Sequence, residues 1–388
     1  MPGLVRITTV PVSMQVLLKG QMKFMQQHGF TVTMVSSDGP EVKALEEQEQ
    51  CRHLHVPFTR TISPVKDLVS LFKLVRILRQ IKPQIVHTHT PKAGLIGMWA
   101  ALLAGVPVRL HTIAGLPWME TTGMMRSLLK LMEKLTAMPA CQVYPNSIRL
   151  HEFLKQQGIA ANKMKVLGKG SSNGIDARHF SKTPALANEG MELRRQQQVS
   201  SECWIWIFVG RIVKDKGMNE LLDAFLELYQ QFPQDKLWLV GTEEPELDPL
   251  DEAHRNILHS HPGIHCWGFQ KDIRPYLAAA QVLAFPSYRE GFPNVPMQAG
   301  AMECMLLLSD INGCNEIVEN NENGMLVPVK NTAALCHAML EVRQDPSRRE
   351  RFAKAIRTKI ESSYDQQYVW NLILQEYQYW MKKKGIIN

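Results

Sequence analysis

The sequence predicts an α/β fold made of two Rossmann-like domains, and three observations carry that prediction. Short β-branched or apolar runs alternate with helical segments along the chain, as in βαβ units with parallel sheets. The 388 residues exceed one ordinary core and suit two domains of roughly 180 residues each. A hydrophobic content of 45% and a charged content of 21% are typical of a globular protein in water.

The predicted strands fall into two groups of six. Those of the amino-terminal domain cover residues 5–9, 31–36, 85–89, 108–112, 142–145 and 165–167. Those of the carboxyl-terminal domain cover residues 204–209, 236–240, 264–266, 282–286, 306–309 and 325–327. The uncharged run at residues 93–108 is shorter than the roughly 20 residues of a bilayer span, so it predicts a helix buried against a sheet.

The segment VGRIVKDKG at residues 209–217 follows an apolar strand and precedes an amphipathic helix. It places Gly210, Arg211 and Lys216 at the carboxyl end of the strand, where ligands of open α/β sheets bind. Two fixed positive charges beside a glycine suit a diphosphate that no metal neutralises. The alternative is a pair of surface cations, which the helix dipole disfavours at a helix start.

A second segment, REGFPN at residues 289–294, follows the predicted strand 282–286 and precedes a helix expected to begin near Pro296. Backbone N–H groups at that helix start can hold phosphate oxygens. The Glu290 carboxylate can accept hydrogen bonds from sugar hydroxyls, although an ordinary helix-capping acid is the alternative. The two segments together indicate a nucleotide-sugar site.

The chain resembles the retaining glycosyltransferases of family 4, and the likeness runs from VRITTVP at residues 5–11 through Pro328. Within that family it is most similar to bacterial enzymes that extend lipid-linked sugars for capsule, O-antigen or related glycans. The segments that carry this closer similarity are HTHTPKAG at residues 87–94, GKGSSNGID at 168–176 and SDINGCNE at 309–316.

The resemblance implies the GT-B arrangement, in which two Rossmann-like domains face each other across a cleft. We place an acceptor-side domain at residues 1–180, a nucleotide-sugar domain at 181–361 and a terminal helix at 362–388, which the resemblance returns to the amino-terminal domain. It also implies a nucleotide diphosphate sugar donor, UDP-linked and carrying a hexose or N-acetylhexosamine, and a polyprenyl-diphosphate-linked glycan acceptor. Neither a metal nor another cofactor is expected.

The expected site residues fall into three sets. The catalytic set is Arg211, Lys216, Glu290 and His111. The donor-binding set is Gly210, Gly291, Phe292, Pro293, Asn294 and Gln298. Further candidates are His89, Asn173 and Thr9.

The amino-domain candidates each have a structural alternative. His111 matches the position where the family places a histidine against the donor sugar, and a buried structural histidine is the alternative. His87 and His89 alternate on one strand, and we expect them to face opposite sides, with His89 nearer the site. No carboxylate or cysteine cluster completes a metal site around this pair. The segment at residues 168–176 either approaches a ligand or forms a turn.

The chain departs from the family pattern at several positions. Gln298 stands where the family has a glutamate that binds the ribose, and an amide oxygen accepts without charge assistance. Glu303 and Met305 stand where a glycine and a proline are usual. A non-glycine residue in a left-handed cap costs on the order of 1 kcal/mol. The first loop, residues 8–13, lacks the usual glycine pair.

The charge is uneven along the chain. Residues 1–180 carry 22 Lys/Arg against 10 Asp/Glu, whereas residues 181–388 carry 22 against 27. The segments 63–82 and 124–138 read as amphipathic basic helices, which suit an anionic membrane surface or, alternatively, packing on the sheet. In the first segment, the apolar side is expected to contain Leu68, Leu71, Phe72, Val75 and Leu78. No nucleic-acid-binding motif accompanies the basic half.

The seven cysteines are scattered and odd in number, which predicts reduced thiols. With no signal segment at the amino terminus, we expect a cytoplasmic protein, peripheral on the inner face of the cell membrane. One alternative is a non-hydrolysing sugar-nucleotide epimerase of the same fold, which would need acid/base carboxylates around the anomeric carbon. A non-catalytic membrane-associated scaffold is the alternative from another class.

Overall fold

The computed structural model describes residues 1–116, 121–244, 246 and 248–387. The chain divides into two compact units. Unit 1 consists of Met1–Gly174 together with Gln366–Asn388, and unit 2 consists of Ile175–Asp365. The first division, after residue 174, lies six residues before the boundary expected after residue 180. The second, after residue 365, lies four residues beyond the boundary expected after residue 361.

Unit 1 is built on six parallel strands. They are β1 Gly3–Ile7, β2 Thr31–Ser36, β3 His53–His55, β4 Ile85–His89, β5 Val108–Ile113 and β6 Gln142–Pro145. The helices between and after them are α1 Pro11–Leu17, α2 Gln21–Gln27, α3 Val42–Glu49, α4 Pro64–Ile81, α5 Pro91–Leu103, α6 Gly123–Ala137 and α7 Ile148–Gln156. The spatial order of the strands is β3-β2-β1-β4-β5-β6.

Unit 2 repeats this architecture. Its strands are β7 Ile205–Val209, β8 Lys236–Val240, β9 Ile264–Gly268, β10 Val282–Phe285, β11 Met305–Ser309 and β12 Met325–Val327. Its helices are α8 Pro184–Gln196, α9 Met218–Gln231, α10 Glu252–Ser260, α11 Arg274–Ala279, α12 Asn294–Ala301, α13 Cys314–Ile317, α14 Thr332–Gln344 and α15 Pro346–Ser363. A short 3₁₀ helix, Lys214–Lys216, precedes α9. The spatial order of the strands is β12-β11-β10-β7-β8-β9.

Both sheets have the strand order of a doubly wound fold, in which the first strand pairs with the fourth. In unit 1, β1 pairs in parallel with β4, and in unit 2, β7 pairs in parallel with β10. Chain connections leave these two strands in opposite directions, so a crevice opens at their carboxyl ends. The two switch points therefore mark the ligand-binding edge of each unit.

The last helix, α16 (Gln366–Lys383), belongs to unit 1. Its buried apolar residues recur at helical spacing, and they are Val369, Trp370, Ile373, Leu374, Tyr377, Trp380 and Met381. They pack with Met14, Met22 and Phe24 and with the buried face of the sheet at Leu4 and Ile85. This stripe is what an amphipathic helix needs to stay on one face of a core.

Two strand predictions were wrong. Residues 165–167 form no strand, because the segment makes only an isolated bridge between Val143 and Met164 before turning away. The short strand β3 was missed, because its sequence His-Leu-His has one apolar residue and no run. The polar segment 181–201 contains α8 of unit 2, where buried Arg194 donates to the carbonyls of Ala279 and Cys203.

Along the part of the chain that the structure describes, no helix combines the length and the apolar character needed to span a bilayer. The buried helix predicted at residues 93–108 corresponds to α5, which ends at Leu103, and β5 begins at Val108. Ala93, Met98, Ala100 and Ala101 of α5 have no exposed surface.

Candidate active site

The loop after β7 carries the predicted cations. Gly210 donates its N–H to the Val240 carbonyl at 2.9 Å, which extends the pairing of β7 with β8 by one residue. Arg211 follows at the sheet edge, where its side chain is 45% exposed and its Nη1 lies 2.9 Å from Glu244 Oε2. This contact is the main cause that raises the pKa of Arg211 above its ordinary value. Arg211 is therefore a permanent charge that is open to solvent.

A glycine brings the two predicted segments together. Gly217 has φ +70°, and a Cβ at this position would lie 2.1 Å from the carbonyl oxygen of Pro286. Any other residue would push the end of β10 away from the 3₁₀ helix. The backbone N–H of Tyr288 also donates to the Asp215 carbonyl at 2.9 Å. The loops after the adjacent strands β7 and β10 are thereby held side by side.

Lys216 and Glu290 meet at this junction. Lys216 Nζ lies 2.6 Å from Glu290 Oε1, and the side chains are 15% and 17% exposed. Their proximity is what the switch point between β7 and β10 dictates, since each residue lies just beyond the carboxyl end of its strand. A lysine ammonium has three donors, so two remain for other acceptors.

The helix after Glu290 begins two residues earlier than expected. Its first residue is Asn294 rather than one near Pro296, with Pro293 as the N-cap and no side chain capping it. The backbone N–H groups of the first turn therefore lack a side-chain acceptor, which suits an anionic ligand. Gln298 lies half-buried in this helix, and its side-chain amide makes no hydrogen bond with the described residues.

The segment 309–316 closes around the turn that holds Gly291, Phe292 and Pro293. Gly313 has φ +80°, and a Cβ there would come within 2.6 Å of the Gly291 carbonyl oxygen. Asn312 Nδ2 donates to the same carbonyl at 2.7 Å. These contacts explain why the sequence has Asn-Gly at this point, and they fix the turn that follows Glu290.

Glu303 adopts the strained conformation anticipated from its position. Its φ is +61°, directly after α12, where glycine would be free of strain. Its carboxylate lies 3.7 Å from Arg357 Nε on α15. Met305 begins β11 and donates its N–H to the Gln281 carbonyl at 3.1 Å, a bond that a proline could not make.

In unit 1, His111 lies on β5 and is 2% exposed. Its Nδ1 lies 2.8 Å from Thr88 Oγ1, and its ring lies against Gly94 of α5, where a Cβ would be 2.4 Å from the ring. Burial lowers the pKa of His111 to about 4, although the Thr88 contact opposes this shift. The ring is therefore neutral near pH 7 and can only exchange hydrogen bonds.

The expectation that His87 and His89 face opposite sides of the sheet was wrong. Residues two apart on a strand share a face, and the two rings lie 4.4 Å apart. His87 contacts Tyr377 of α16, so both rings face α16, whereas His111 contacts α5 on the other face. Burial is the main cause that holds the pKa of each of the two rings well below its ordinary value.

The remaining candidates, Thr9 and Asn173, make hydrogen bonds within unit 1. Thr9 Oγ1 lies 2.8 Å from Thr90 Oγ1, beside His89 in the sequence. Asn173 Oδ1 accepts from Gln21 Nε2 and from Trp370 Nε1, each at 2.7 Å. Asn173 therefore joins α16 to the rest of unit 1.

The sequence-based reasoning missed Arg6, which lies in β1 with no exposed surface. Its guanidinium contacts Gln21, His89 and Tyr377. Burial lowers the pKa of Arg6, while Tyr377 and Glu49 oppose that shift, yet an arginine side chain stays charged in proteins. The available signal was a cation within an apolar strand, Val-Arg-Ile.

The basic helices present apolar side chains to solvent. The predicted single apolar side of α4 is in fact two faces, because Leu74, Val75 and Leu78 are buried whereas Leu68 and Phe72 are exposed. The exposed apolar surface of this helix consists of Val65 (77%), Leu68 (53%), Val69 (55%) and Phe72 (64%). On α6 the corresponding residues are Met124, Met125, Leu128 and Leu131.

The described part of the chain has no group of three or more His, Cys, Asp or Glu side chains placed to hold a metal ion. All seven cysteines are free thiols.

Two family profiles match the two units. The profile described as glycosyl transferase 4-like domain matches residues 14–170, and that of glycosyl transferases group 1 matches residues 204–345. The chain is 32% identical over 368 residues to the capsular polysaccharide biosynthesis glycosyltransferase CapM of Staphylococcus aureus, covering 95% of this chain and 94% of that protein. The chain belongs to glycosyltransferase family 4. It is therefore a glycosyltransferase, as its sequence motifs predicted.

Other similarities agree with this family. The chain is 27% identical to the UDP-Gal:α-D-GlcNAc-diphosphoundecaprenol α-1,3-galactosyltransferase of Escherichia coli, over 84% of this chain and 83% of that one. The crystal structure of Anabaena HepE in complex with UDP superimposes with a TM-score of 0.82 at 20% identity, covering 97% of this chain and all of that one. This family 4 glycosyltransferase thus has the predicted GT-B fold.

Proposed function

We propose that this glycosyltransferase moves a hexosyl or N-acetylhexosaminyl group from a UDP-sugar, with retention of configuration, to a hydroxyl of a polyprenyl-diphosphate-linked glycan. The observation that carries the donor half is the junction at the switch point of unit 2, where Lys216 contacts Glu290 and Arg211 lies in the same loop after β7, paired with Glu244. A relative in Escherichia coli is named for a UDP-sugar donor and a diphosphoundecaprenol acceptor, and another is named for capsular polysaccharide biosynthesis. Capsule or O-antigen assembly is the corresponding role.

The chemistry balances without a protein nucleophile. The bond between the anomeric carbon and the β-phosphate oxygen breaks, and its electron pair leaves with UDP. The acceptor oxygen bonds to the same face of the anomeric carbon, and a β-phosphate oxygen takes the acceptor's proton. Arg211 and Lys216 stabilise the charge that develops on the diphosphate, with the uncapped N–H groups at Asn294 beside them.

The remaining site residues hold the donor in place. Glu290 accepts hydrogen bonds from hydroxyls of the donor sugar. In unit 1, His111 provides a neutral hydrogen-bonding group for a sugar hydroxyl. Gln298, one to two turns into α12, binds the ribose through its amide. No metal takes part, because the two cations and the helix start supply the positive charge.

The acceptor would be reached at a membrane surface. The exposed apolar residues of α4 are flanked by the exposed cations Lys66, Lys73, Arg76 and Arg79. Apolar side chains that insert at the headgroup level, with cations around them, are the features of an interfacial helix on anionic lipid. A cytoplasmic protein held peripherally on the inner face of the cell membrane fits this surface.

Product analysis in the presence of EDTA tests the proposal. The enzyme is incubated with a panel of UDP-sugars and with undecaprenyl-diphosphate-linked N-acetylglucosamine, and NMR assigns the anomeric configuration of any product. We expect one UDP-sugar to extend the acceptor with the configuration of the donor, and only slow hydrolysis without acceptor. Epimerised donor in the absence of acceptor would indicate an epimerase, and a requirement for Mg²⁺ or Mn²⁺ would indicate a metal site.

A further inference from the structure

A buried hydrogen-bond network in unit 1 surrounds Arg6. Its Nη1 donates to Tyr377 Oη at 2.8 Å, and its Nη2 lies 2.7 Å from Gln21 Oε1 and 2.9 Å from His89 Nε2. These contacts lie beneath the switch point of unit 1, because Arg6 is on β1 and His89 ends the adjacent β4. The network is therefore placed under the ligand-binding edge of this sheet.

A guanidinium can only donate hydrogen bonds, which settles the proton positions of the groups that it contacts. His89 Nε2 must accept from Arg6, so the neutral ring carries its proton on Nδ1. Tyr377 Oη accepts from Arg6, and His87 Nδ1 at 2.7 Å is the one acceptor among the described residues for the Tyr377 hydroxyl proton, so His87 carries its own proton on Nε2. One buried cation thus sets opposite tautomers in two neighbouring histidines.

The chain of donors continues towards the sheet edge. His87 Nε2–H donates to Thr112 Oγ1 at 2.8 Å, which leaves the Thr112 hydroxyl proton available to another acceptor. His89 Nδ1–H likewise has no hydrogen-bond partner among the described residues. Both groups line a cavity of about 20 Å³, which is room for one hydroxyl group or one water molecule.

The lining of this cavity also supplies an acceptor. Asn146 is 5% exposed and lines the cavity, and its Nδ2 donates to the Ala114 carbonyl at 3.1 Å. Its Oδ1 is buried without a partner among the described residues, and so is Ser172 Oγ. Buried polar atoms without partners are uncommon in native proteins. A hydroxyl that accepts from His89 and donates to Asn146 would satisfy both groups.

We infer that Arg6 is a positioning residue, which fixes His89 as an N–H donor so that His89, Thr112 and Asn146 together bind one hydroxyl of the acceptor sugar. The inference rests on the proposed function in one respect, namely that the hydroxyl belongs to a glycan acceptor. His89 does not act as a base in this arrangement, because its only unprotonated nitrogen accepts from Arg6. Arg6 itself touches no substrate.

Histidine tautomers are observable by ¹⁵N NMR of the full-length protein labelled at histidine, with His87→Gln and His89→Gln used to assign the signals. We expect His89 as the Nδ1–H tautomer and His87 as the Nε2–H tautomer in the parent. In Arg6→Met, His89 should become a mixture of tautomers, and Arg6→Lys should restore the parent form because an ammonium also only donates. Finding His89 as the Nε2–H tautomer in the parent would overturn the inference.

Steady-state kinetics provides the functional arm. We expect Arg6→Met to raise KM for the acceptor by about 10- to 100-fold, the size seen when the partner that orients a metal-ligating histidine is lost. KM for the donor should change less than about twofold. Both KM values should also change less than about twofold in the control Arg109→Met, because the Arg109 guanidinium donates to the backbone carbonyls of Pro139 and Val106. If Arg6→Met alters the tautomer of His89 but leaves KM for the acceptor unchanged, the cavity binds only water and the inference is overturned.

A second variant keeps the inference testable if Arg6→Met fails to fold. Tyr377→Phe removes the donor to His87 Nδ1 but leaves the contact between Arg6 and His89. The tautomer of His87 should change while that of His89 stays, and a change at His89 would contradict the network. Absence of transfer with every nucleotide sugar would refute the proposed function instead, without affecting the NMR result.

Discussion

Single residues decide how the donor half of this enzyme is charged. Lys216 gives one N–H to Glu290 at 2.6 Å, and Arg211 gives one of its donors to Glu244 at 2.9 Å. Each cation keeps further donors for phosphate oxygens. Both cations are ion-paired, but the Lys216 side chain is mostly buried whereas that of Arg211 is half-exposed, so the guanidinium has more room to adjust to a ligand.

Gln298 offers the sharpest test of where the ribose binds. We expect Gln298→Glu to tighten UDP-sugar binding by about 5- to 30-fold, since a charge-assisted hydrogen bond exceeds a neutral one by roughly 1–2 kcal/mol. Isothermal titration calorimetry with the donor measures this change. Gln298→Ala serves as the complementary variant, and donor binding as tight as in the parent would mean that the ribose lies elsewhere.

Glu303 is a test of backbone strain. Its φ of +61° favours glycine, so Glu303→Gly should raise the free energy of unfolding; the expected gain is about 1 kcal/mol. Chemical denaturation followed by tryptophan fluorescence measures it. Glu303→Gln is the matched control, because it removes the charge facing Arg357 and keeps the strain. If the glycine variant is the less stable of the two, the strain at this position is not what limits stability.

At the scale of elements, long periodic segments were predictable and short or polar ones were not. The spacing of apolar residues predicted α4 and α6, because burial of one face determines where such helices lie. The resemblance to family 4 predicted the last helix, and α16 also buries one apolar face. Strand β3 has a single apolar residue, so its pairing with β2 depends on contacts made in the folded sheet. The division of α4 into a buried and an exposed apolar face could not be predicted either, because it depends on which elements pack against the helix.

The exposed face of α4 predicts membrane binding. The double variant Leu68→Ser/Phe72→Ser should weaken binding to vesicles containing anionic phosphatidylglycerol by about 10-fold or more, since each buried apolar side chain contributes roughly 1.5–3 kcal/mol when fully inserted. Sedimentation with vesicles at rising salt measures the affinity, which should fall as the surface charges are screened within about 10 Å at 0.1 M salt.

Met191→Ser is a matched control for this experiment, because Met191 is a 58% exposed apolar residue on α8, which is neither of the two basic helices. Its vesicle binding should equal that of the parent. Equal binding of the parent to neutral and anionic vesicles, or no loss in the double variant, would remove α4 from the membrane-binding surface.

At the scale of the whole molecule, contacts between residues far apart in the chain could not be predicted from the sequence. Arg6 and Tyr377 are 371 positions apart, yet they form one buried hydrogen bond. The resemblance to family 4 anticipated that the last helix returns to the first domain, and α16 does lie in unit 1. What it could not anticipate is that α16 contributes Tyr377 and Trp370 to the polar network of that unit.

The central claim is that unit 2 binds the donor diphosphate through Arg211 and Lys216, and turnover of Arg211→Ala tests it most directly. Since Arg211 is half-exposed, the variant should fold, and its kcat should fall by roughly 10²- to 10³-fold. Lys214→Ala is the control, because Lys214 is an exposed cation of the same turn that pairs with Asp251. A parent-like kcat in folded Arg211→Ala, with Lys214→Ala also unchanged, would contradict the claim.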